Sequence, residues 1–261
     1  TVVNDIKISL GRTGVATPYA ELEEVDLEGV KIKSASLHNI DYINSKDIRV
    51  GDEVVIERAG DVIPQIIEVS KNNKRSADSK KFKMPEDCPV CNSKLFKDLD
   101  DPFTKCLDSN CDDQIKRSLE HFSSKNCVEI EGLGEGIINI LFENKLVSSI
   151  TDLYKLTYEK IINLEGFQDK SANNLLDSIS ASKQVIPEKL LHGLGIPHVG
   201  SEISELLLLN FKNINKIFDS SKEDILEIDG IGPKIYESIN DWIKIEKNKI
   251  LLKKLEDIGF E

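Results

Sequence analysis

The chain has 261 residues, an apolar fraction of 39%, a charged fraction of 31% and a formal net charge of −12. The length predicts more than one domain, and the apolar fraction is sufficient for buried cores. The absence of any run of about 18 apolar residues excludes a membrane-spanning helix, and the first residues lack the pattern of a signal peptide. The acidic balance excludes attraction to nucleic acid by overall charge, so any such contact must come from local patches and backbone amides. Because the chain lacks an initiator methionine, we expect a fragment or a processed product.

Residues 1 to about 70 are predicted to form a small β-barrel. Apolar or β-branched runs, several alternating with period two, occupy Val2–Leu10, Val30–Ala35, Glu53–Arg58 and Val62–Val69. Many short strands separated by glycine favour a barrel over an open sheet. Residues 71–83 are polar and rich in basic side chains, which predicts a linker. The linker is either a solvated loop or a segment that contacts phosphate.

Residues 84–113 contain four cysteines in two close pairs. Two residues separate Cys88 from Cys91, four separate Cys106 from Cys111, and 14 lie between the pairs. This spacing is typical of a tetrahedral thiolate site for zinc, with each pair binding from one turn. Disulfides are the alternative, and no secretory signal supports them. Four cysteines leave no open position, so the predicted zinc is structural and stabilises a segment that is too short for an apolar core of its own.

Residues 114–261 are predicted to be helical, with one pattern repeated every 32 to 34 residues. Each copy places an aliphatic residue four positions before a glycine-type turn and another seven positions after it. The four copies are Ile130–Gly134, Leu164–Gln168, Ile196–Gly200 and Ile228–Gly232. The pattern predicts four units of helix, tight turn and helix, followed by a C-terminal helix. The same register makes Cys127 a core residue, and no base that could activate it as a nucleophile is evident in the sequence.

The turns themselves point to a ligand. Each leads into the N-terminus of a helix, where unpaired N–H groups and the helix dipole favour an anion. One such turn is also expected in an ordinary helical hairpin, but four in register indicate phosphate contacts along nucleic acid. Gln168 and His198 replace glycine in two copies, which predicts a weaker grip there. The turn glycines are Gly132, Gly134, Gly166, Gly200, Gly230 and Gly232.

These turns resemble the helix-hairpin-helix family, which binds the DNA backbone without reading its sequence. The barrel segments Gly11–Pro18, Ala35–Asn39, Lys46–Asp52 and Arg58–Pro64 resemble the OB-fold domain of bacterial NAD-dependent DNA ligases. The order of barrel, four-cysteine module and four hairpins is also that of the ligase family. The resemblance implies a multidomain α+β protein with an OB-type barrel at 1–70, a basic linker at 71–83, a zinc module at 84–113 and hairpins at 114–261.

The resemblance also implies which residues contact DNA. The amides of the turn glycines would bind phosphates, with charge added by lysines next to two turns. In the barrel, Arg12 and Arg58 flank glycine-containing turns and could fork onto a phosphate, although a salt bridge within this acidic domain is the alternative. The remaining candidates are Thr13, Gly14, Lys46 and Arg49 in the barrel and Lys170 and Lys234 beside the hairpins.

The ligase family seals nicks in duplex DNA with NAD and magnesium, through a lysine in a Lys-x-Asp-Gly motif of its adenylation domain. This chain lacks that motif, since Glu227 and Ile228 precede Asp229 and Gly230. The resemblance therefore implies a DNA-clamping portion without catalytic residues, unable to adenylylate itself. Its expected partners are nicked duplex DNA and an adenylation domain in cis, in the cytoplasm on the bacterial nucleoid. The alternatives are a stand-alone DNA-binding adaptor, an acidic scaffold for proteins, and a structure-specific nuclease, for which no carboxylate–metal cluster is evident.

Overall fold

A computed structural model describes residues 1–27, 29–59, 63–76, 78–97 and 102–260. The described residues form two compact units, Thr1–Gln114 and Ile115–Glu261. The first unit contains the strands and the four paired cysteines, and the second is helical. Among the described residues no helix is both long and apolar enough to cross a membrane.

The first unit is built on a closed β-barrel, as predicted. Strands β1 and β2, β2 and β3, and β4 and β5 pair antiparallel, while β3 and β5 pair parallel. A bridge between Val2 and Glu53 connects the start of β1 to β4 and closes the barrel. The elements are β1 Val3–Leu10, β2 Val15–Leu27, β3 Val30–Ser36, helix α1 Ile40–Lys46, β4 Val54–Ala59 and β5 Ile63–Val69.

Strand β2 and helix α1 are absent from the sequence-based prediction. The strand is 13 residues long and pairs with three neighbours. Buried and half-buried residues alternate along its first half, where one face buries Ala16, Pro18, Ala20 and Leu22. Pro18 lies in the middle of the strand although proline cannot donate to the ladder, and the burial of one face outweighs that single missing donor.

Asn73 and Arg75 of the basic segment lie against the barrel around one buried carboxylate. Asp52 is 1% exposed at its side chain, and Arg75 Nε donates to it at 2.8 Å. Asn73 Nδ2 donates to the same carboxylate at 2.6 Å. Arg75 also pairs with Asp47 at 2.5 Å. Arg75 therefore uses its guanidinium inside the unit, and this part of the segment is neither a free solvated loop nor a phosphate contact.

The four-cysteine segment continues the barrel sheet. Its strands β6 Leu95–Lys97 and β7 Thr104–Cys106 pair antiparallel, and β7 pairs in turn with β2. Leu10 and Ala16 of the barrel share a buried cluster with three of the cysteines. The apolar core that this segment cannot build alone is therefore supplied by the barrel. Helix α2, Asp112–Phe122, begins directly after the last cysteine.

The second unit is a stack of short helices around one apolar core. The aliphatic residue seven positions after each turn is buried in all four copies, as the repeat predicts. A 3-10 helix, Ser182–Gln184, lies between the second and third hairpins. The helices are α3 Glu135–Glu143, α4 Ile150–Leu153, α5 Tyr158–Ile161, α6 Asp169–Ala181, α7 Pro187–Gly193, α8 Ser201–Phe211, α9 Ile214–Asp219, α10 Lys222–Leu226, α11 Pro233–Lys244 and α12 Glu246–Ile258.

Candidate nucleic-acid interface and metal centre

All four predicted turns have the same backbone hydrogen bond. In each, the amide of the apolar middle residue donates to the carbonyl of the aliphatic residue three positions before it, at 3.1 to 3.2 Å. Leu133, Val199 and Ile231 are buried, and Phe167 is half-buried against the same core. The middle residue therefore fastens each turn to the core, which fixes the direction in which the following helix leaves.

Each turn also places one residue in the left-handed backbone region. Gly132, Gly166 and Gly230 have φ of 83°, 83° and 88°. His198 occupies the equivalent position of the third turn with φ 64°, a conformation that costs a non-glycine residue about 1–2 kcal/mol. The third turn thus keeps the same conformation despite losing its glycine, and His198 is a strained turn residue.

In three of the four turns the second glycine is the N-cap of the next helix. Gly134, Gly200 and Gly232 have extended φ/ψ and no side chain to cap the helices α3, α8 and α11. A Cβ built on any of these three glycines meets no atom within 4 Å. The space beside each N-cap glycine is therefore open to a phosphate oxygen, although α11 offers fewer amides, because Pro233 has no N–H and the Ile235 amide donates to the Gly232 carbonyl at 3.0 Å.

The second hairpin differs from the other three at this point. Gln168 is the N-cap of α6, and its own amide donates to Ser171 Oγ at 2.9 Å. Ser171 Oγ in turn donates to the Gln168 carbonyl at 3.0 Å. Because this amide already has a partner within the protein, the weaker phosphate grip expected from Gln168 now has a structural reason.

The two candidate lysines occupy equivalent positions. Lys170 and Lys234 are each the second residue of a hairpin helix, α6 and α11, and both are exposed. A cation there lies beside the amides that would bind an anion, so it adds charge without competing for the same backbone groups. Their contact with DNA stays a prediction.

The first three candidate DNA contacts in the barrel lie in a turn or near the end of a strand. Arg12 and the exposed Thr13 lie in the turn between β1 and β2, and half-buried Arg58 lies near the end of β4. The turn that follows Arg58 lies outside the described residues at 60–62. Arg12 and Arg58 each also have an interaction within the protein, and the contact of all three residues with DNA stays a prediction.

Gly14, Lys46 and Arg49 are occupied within the fold. Gly14 donates its amide to Gly11 O at 2.9 Å and accepts from Cys106 N at 2.8 Å. Lys46 Nζ donates to Ile67 O, and Arg49 donates to the Asp47 carboxylate and to Ser79 O at 3.0 Å. Each of the three therefore has a partner within the protein, and contact of these residues with DNA stays a prediction.

The four paired cysteines converge on one point. The Cys88 and Cys111 sulfurs are 3.9 Å apart, and those of Cys91 and Cys106 are 3.5 Å apart. All four sulfurs lie within 4.8 Å of one another. A zinc ion with Zn–S bonds of about 2.3 Å requires sulfur–sulfur edges of about 3.8 Å in a tetrahedron. The cysteines therefore fit a structural zinc ion, and none of the four is in a disulfide bond.

The surroundings of the sulfurs set how readily they become thiolates. Hydrogen bonds from the side chain and backbone of Ser93 lower the pKa of Cys91 to about 7. Burial raises the pKa of Cys106 to about 11, and burial also raises the pKa of Cys111. Since zinc binds thiolates, the metal must displace protons from Cys106 and Cys111.

Sequence reasoning missed the neighbours of Cys127. The residue is fully buried, as its register predicts. The structure also places two histidines beside it, His121 at 3.7 Å and His192 at 3.6 Å from its sulfur. They are 6 and 65 residues away along the chain. Only the packing of α7 on the loop after α2 brings the second one close, so no local motif could have found it.

Two models of known protein families match separate regions of the chain. Residues 1–79 match the NAD-dependent DNA ligase OB-fold domain, and residues 189–252 match the helix-hairpin-helix motif. Proteins named DNA ligase match nearly the whole chain. The protein from Bacillus licheniformis is 42% identical over 259 residues, which is 99% of this chain and 39% of the relative. Those from Bacillus subtilis and Clostridioides difficile are 41% and 39% identical, each over 99% of this chain.

The chain spans about two fifths of the length of these relatives, 39% of the first and 38% of the last. Their match covers the barrel, the four-cysteine segment and the four hairpins. The chain is therefore similar, over nearly its whole length, to about two fifths of the length of proteins named DNA ligase, and its first 79 residues match the NAD-dependent DNA ligase OB-fold domain.

Proposed function

We propose that this chain is the DNA-clamping portion of an NAD-dependent DNA ligase that seals nicks in duplex DNA. In this proposal it holds the sugar–phosphate backbone on both sides of the nick without reading sequence. An adenylation domain in the same protein supplies the nucleophilic lysine and binds NAD and magnesium. The proposal locates the protein on the nucleoid in the bacterial cytoplasm.

One observation carries the proposal: three hairpin helices begin at a glycine that has open space beside it and no side-chain cap. Phosphate is the anion that such helix ends bind well, and in duplex DNA it recurs along both strands. The chain has a net charge of −12, so amides and a few local cations would have to supply the attraction. Binding through a small number of phosphate contacts is sequence-independent, which suits an enzyme that must act at any nick.

The barrel contributes differently from the hairpins. Arg12, Thr13 and Arg58 would contact the strand near the nick, while Gly14 joins the barrel to the four-cysteine segment. Zinc in the four-cysteine site would supply rigidity and no chemistry, because four thiolates fill its coordination sphere. A stand-alone adaptor is the alternative, but relatives named DNA ligase match 99% of the chain.

The test is fluorescence anisotropy with a labelled nicked duplex. We expect an affinity that falls as salt rises, with the logarithm of the binding constant linear in the logarithm of salt concentration. The triple variant Gly134→Ala, Gly200→Ala, Gly232→Ala places methyl groups where the phosphates would approach. We expect its affinity to fall at least about tenfold, on the scale of about 1.4 kcal/mol.

The same variant must remain folded for the result to count. None of the three new Cβ atoms clashes, and alanine at an N-cap costs about 0.5–1 kcal/mol relative to a good cap. Circular dichroism and zinc content are the controls. An unchanged affinity in the folded triple variant, or no duplex binding by the parent chain at low salt, would contradict the proposal.

A further inference from the structure

A second cluster of metal-binding side chains lies in the helical unit, apart from the four paired cysteines. His121 is in the last turn of α2, Cys127 is in the loop that follows, and His192 is in α7. Their ligand atoms all lie within 4.8 Å of one another. Among the described residues only this group and the four paired cysteines bring three or more such ligands together. The proposed DNA contacts do not involve this cluster, and the similarity to DNA ligases does not depend on it.

The distances within the cluster match those around a metal ion. The Cys127 sulfur is 3.7 Å from His121 Nε2 and 3.6 Å from His192 Nδ1. A tetrahedral ion with a sulfur bond of about 2.3 Å and nitrogen bonds of about 2.0–2.1 Å requires sulfur–nitrogen separations of about 3.6 Å. An ion could therefore enter with only small rotations of the two rings.

The packing that creates the cluster depends on Gly193. A Cβ on Gly193 would be 3.3 Å from side-chain atoms of Phe122 and Val128 and 3.5 Å from the Cys127 Cβ. The missing side chain lets α7 approach the loop closely and sets His192 beside the sulfur. Cys127 is fully buried, whereas both histidines are half-buried, so the site has a protected thiol and a side that solvent reaches.

Both ring nitrogens have carbonyl partners that they would exchange for the ion. His121 Nε2 is 2.9 Å from the His192 carbonyl, and His192 Nδ1 is 3.2 Å from the Asn126 carbonyl. The His192 carbonyl also accepts from Gly195 N at 3.0 Å, so it stays paired when His121 turns to a metal. The exchange leaves the backbone of α7 intact.

We propose that His121, Cys127 and His192 form a second metal site that binds Zn²⁺, with water in the fourth position. One sulfur and two imidazoles are ligands that zinc prefers, and three protein ligands leave one place open. On binding, the Cys127 thiol loses its proton to solvent, and each imidazole carries its N–H on the nitrogen that faces away from the ion. The ion joins two points 71 residues apart in the chain and thereby stabilises the contact between α2 and α7.

The test is the metal content of the whole 261-residue chain, loaded with Zn²⁺ and then dialysed against metal-free buffer. We expect two zinc ions per chain by elemental mass spectrometry. Cys127→Ala, which leaves the four paired cysteines untouched, should retain one. Co²⁺ loading gives a second readout, because the sulfur-to-cobalt charge-transfer band of the second equivalent should disappear in Cys127→Ala.

Two further variants keep the test decisive if Cys127→Ala fails to fold. His192→Asn changes a half-exposed ligand and should also reduce the content to one. His198→Asn is its matched control, since it makes the same change outside the cluster and asparagine tolerates the left-handed backbone there. One ion per chain in the parent protein, or two in both His192→Asn and Cys127→Ala, would overturn the second site.

Discussion

The amide of Cys106 donates a 2.8 Å hydrogen bond to the carbonyl of Gly14, so a metal ligand is fastened to the first turn of the barrel. Gly14 has φ 77°, and a Cβ on it would lie 2.1 Å from the Cys106 carbonyl oxygen. The turn that sequence reasoning assigned to DNA therefore also joins the barrel to the metal segment. Its neighbours Arg12 and Thr13 are held in place by that attachment.

Gly14→Ala should destabilise the first unit strongly. The new methyl group clashes with backbone and the left-handed conformation is strained, so we expect a loss of at least about 2 kcal/mol in the free energy of unfolding. Gly11→Ala is the matched control, because its backbone is unstrained and its nearest atom is 3.8 Å away. Urea denaturation measures both. Equal stability of the two variants would remove the proposed role of Gly14.

Removal of zinc from the paired cysteines should unfold strands β6 and β7 first. Zinc binding replaces thiol protons, so the apparent zinc affinity should rise with pH while buried Cys106, with its pKa of about 11, still carries a proton. Competition with a chromophoric chelator at pH 6, 7 and 8 measures this dependence. A zinc affinity that does not change over this range would show that the thiols are not protonated before binding.

The pair of Asp52 and Arg75 should make stability depend on pH. Burial acts to raise the pKa of Asp52, but hydrogen bonds from Arg75 and Asn73 outweigh it and hold the pKa below its ordinary value. A carboxyl group with a lowered pKa in the folded state stabilises the fold above its unfolded pKa, about 3.9, and loses that contribution as the pH falls further.

Arg75→Met removes the partner of this buried carboxylate. We expect a loss of about 2 kcal/mol near neutral pH, less than for a fully buried pair because Arg75 is partly exposed. The difference from the parent protein should narrow below about pH 4. Lys74→Met is the control, since it also replaces a cationic side chain by methionine, at an exposed residue nearby. Urea denaturation at pH 7 and pH 3 distinguishes the two variants, and a stability difference as large at pH 3 as at pH 7 would contradict the assignment.

Lys170→Gln and Lys234→Gln should weaken duplex binding equally for unrelated DNA sequences. Each lost phosphate contact should reduce the slope of the logarithmic salt dependence by about 0.9. Lys253→Gln and Lys254→Gln on α12 are controls with the same charge change at exposed positions. If all four variants lose affinity alike, the lysines act through overall charge and have no specific contact with phosphate.

The repeat was predictable because each of its features has a local cause. The aliphatic positions, the left-handed residue and the glycine cap recur in register, so the four turns follow from the sequence. Strand β2 was missed because its burial comes from neighbouring strands. The partners of Arg49 and Arg75 were missed for a related reason: Asp52 is an ordinary surface residue type, and only the fold encloses it. The histidines beside Cys127 likewise meet through packing between distant segments.

The most direct test of the account follows the amides themselves. Nitrogen-15 spectra of the chain, titrated with a nicked duplex, should show the amide resonances of Gly134, Gly200 and Gly232 moving together with those of Glu135, Ser201 and Lys234, since Pro233 has no N–H. Downfield shifts are expected as these N–H groups donate to phosphate, while the amide of Gln168, which donates to Ser171, should move least. Saturating duplex that leaves the three glycine amides unshifted would contradict the claim that helix ends hold the DNA.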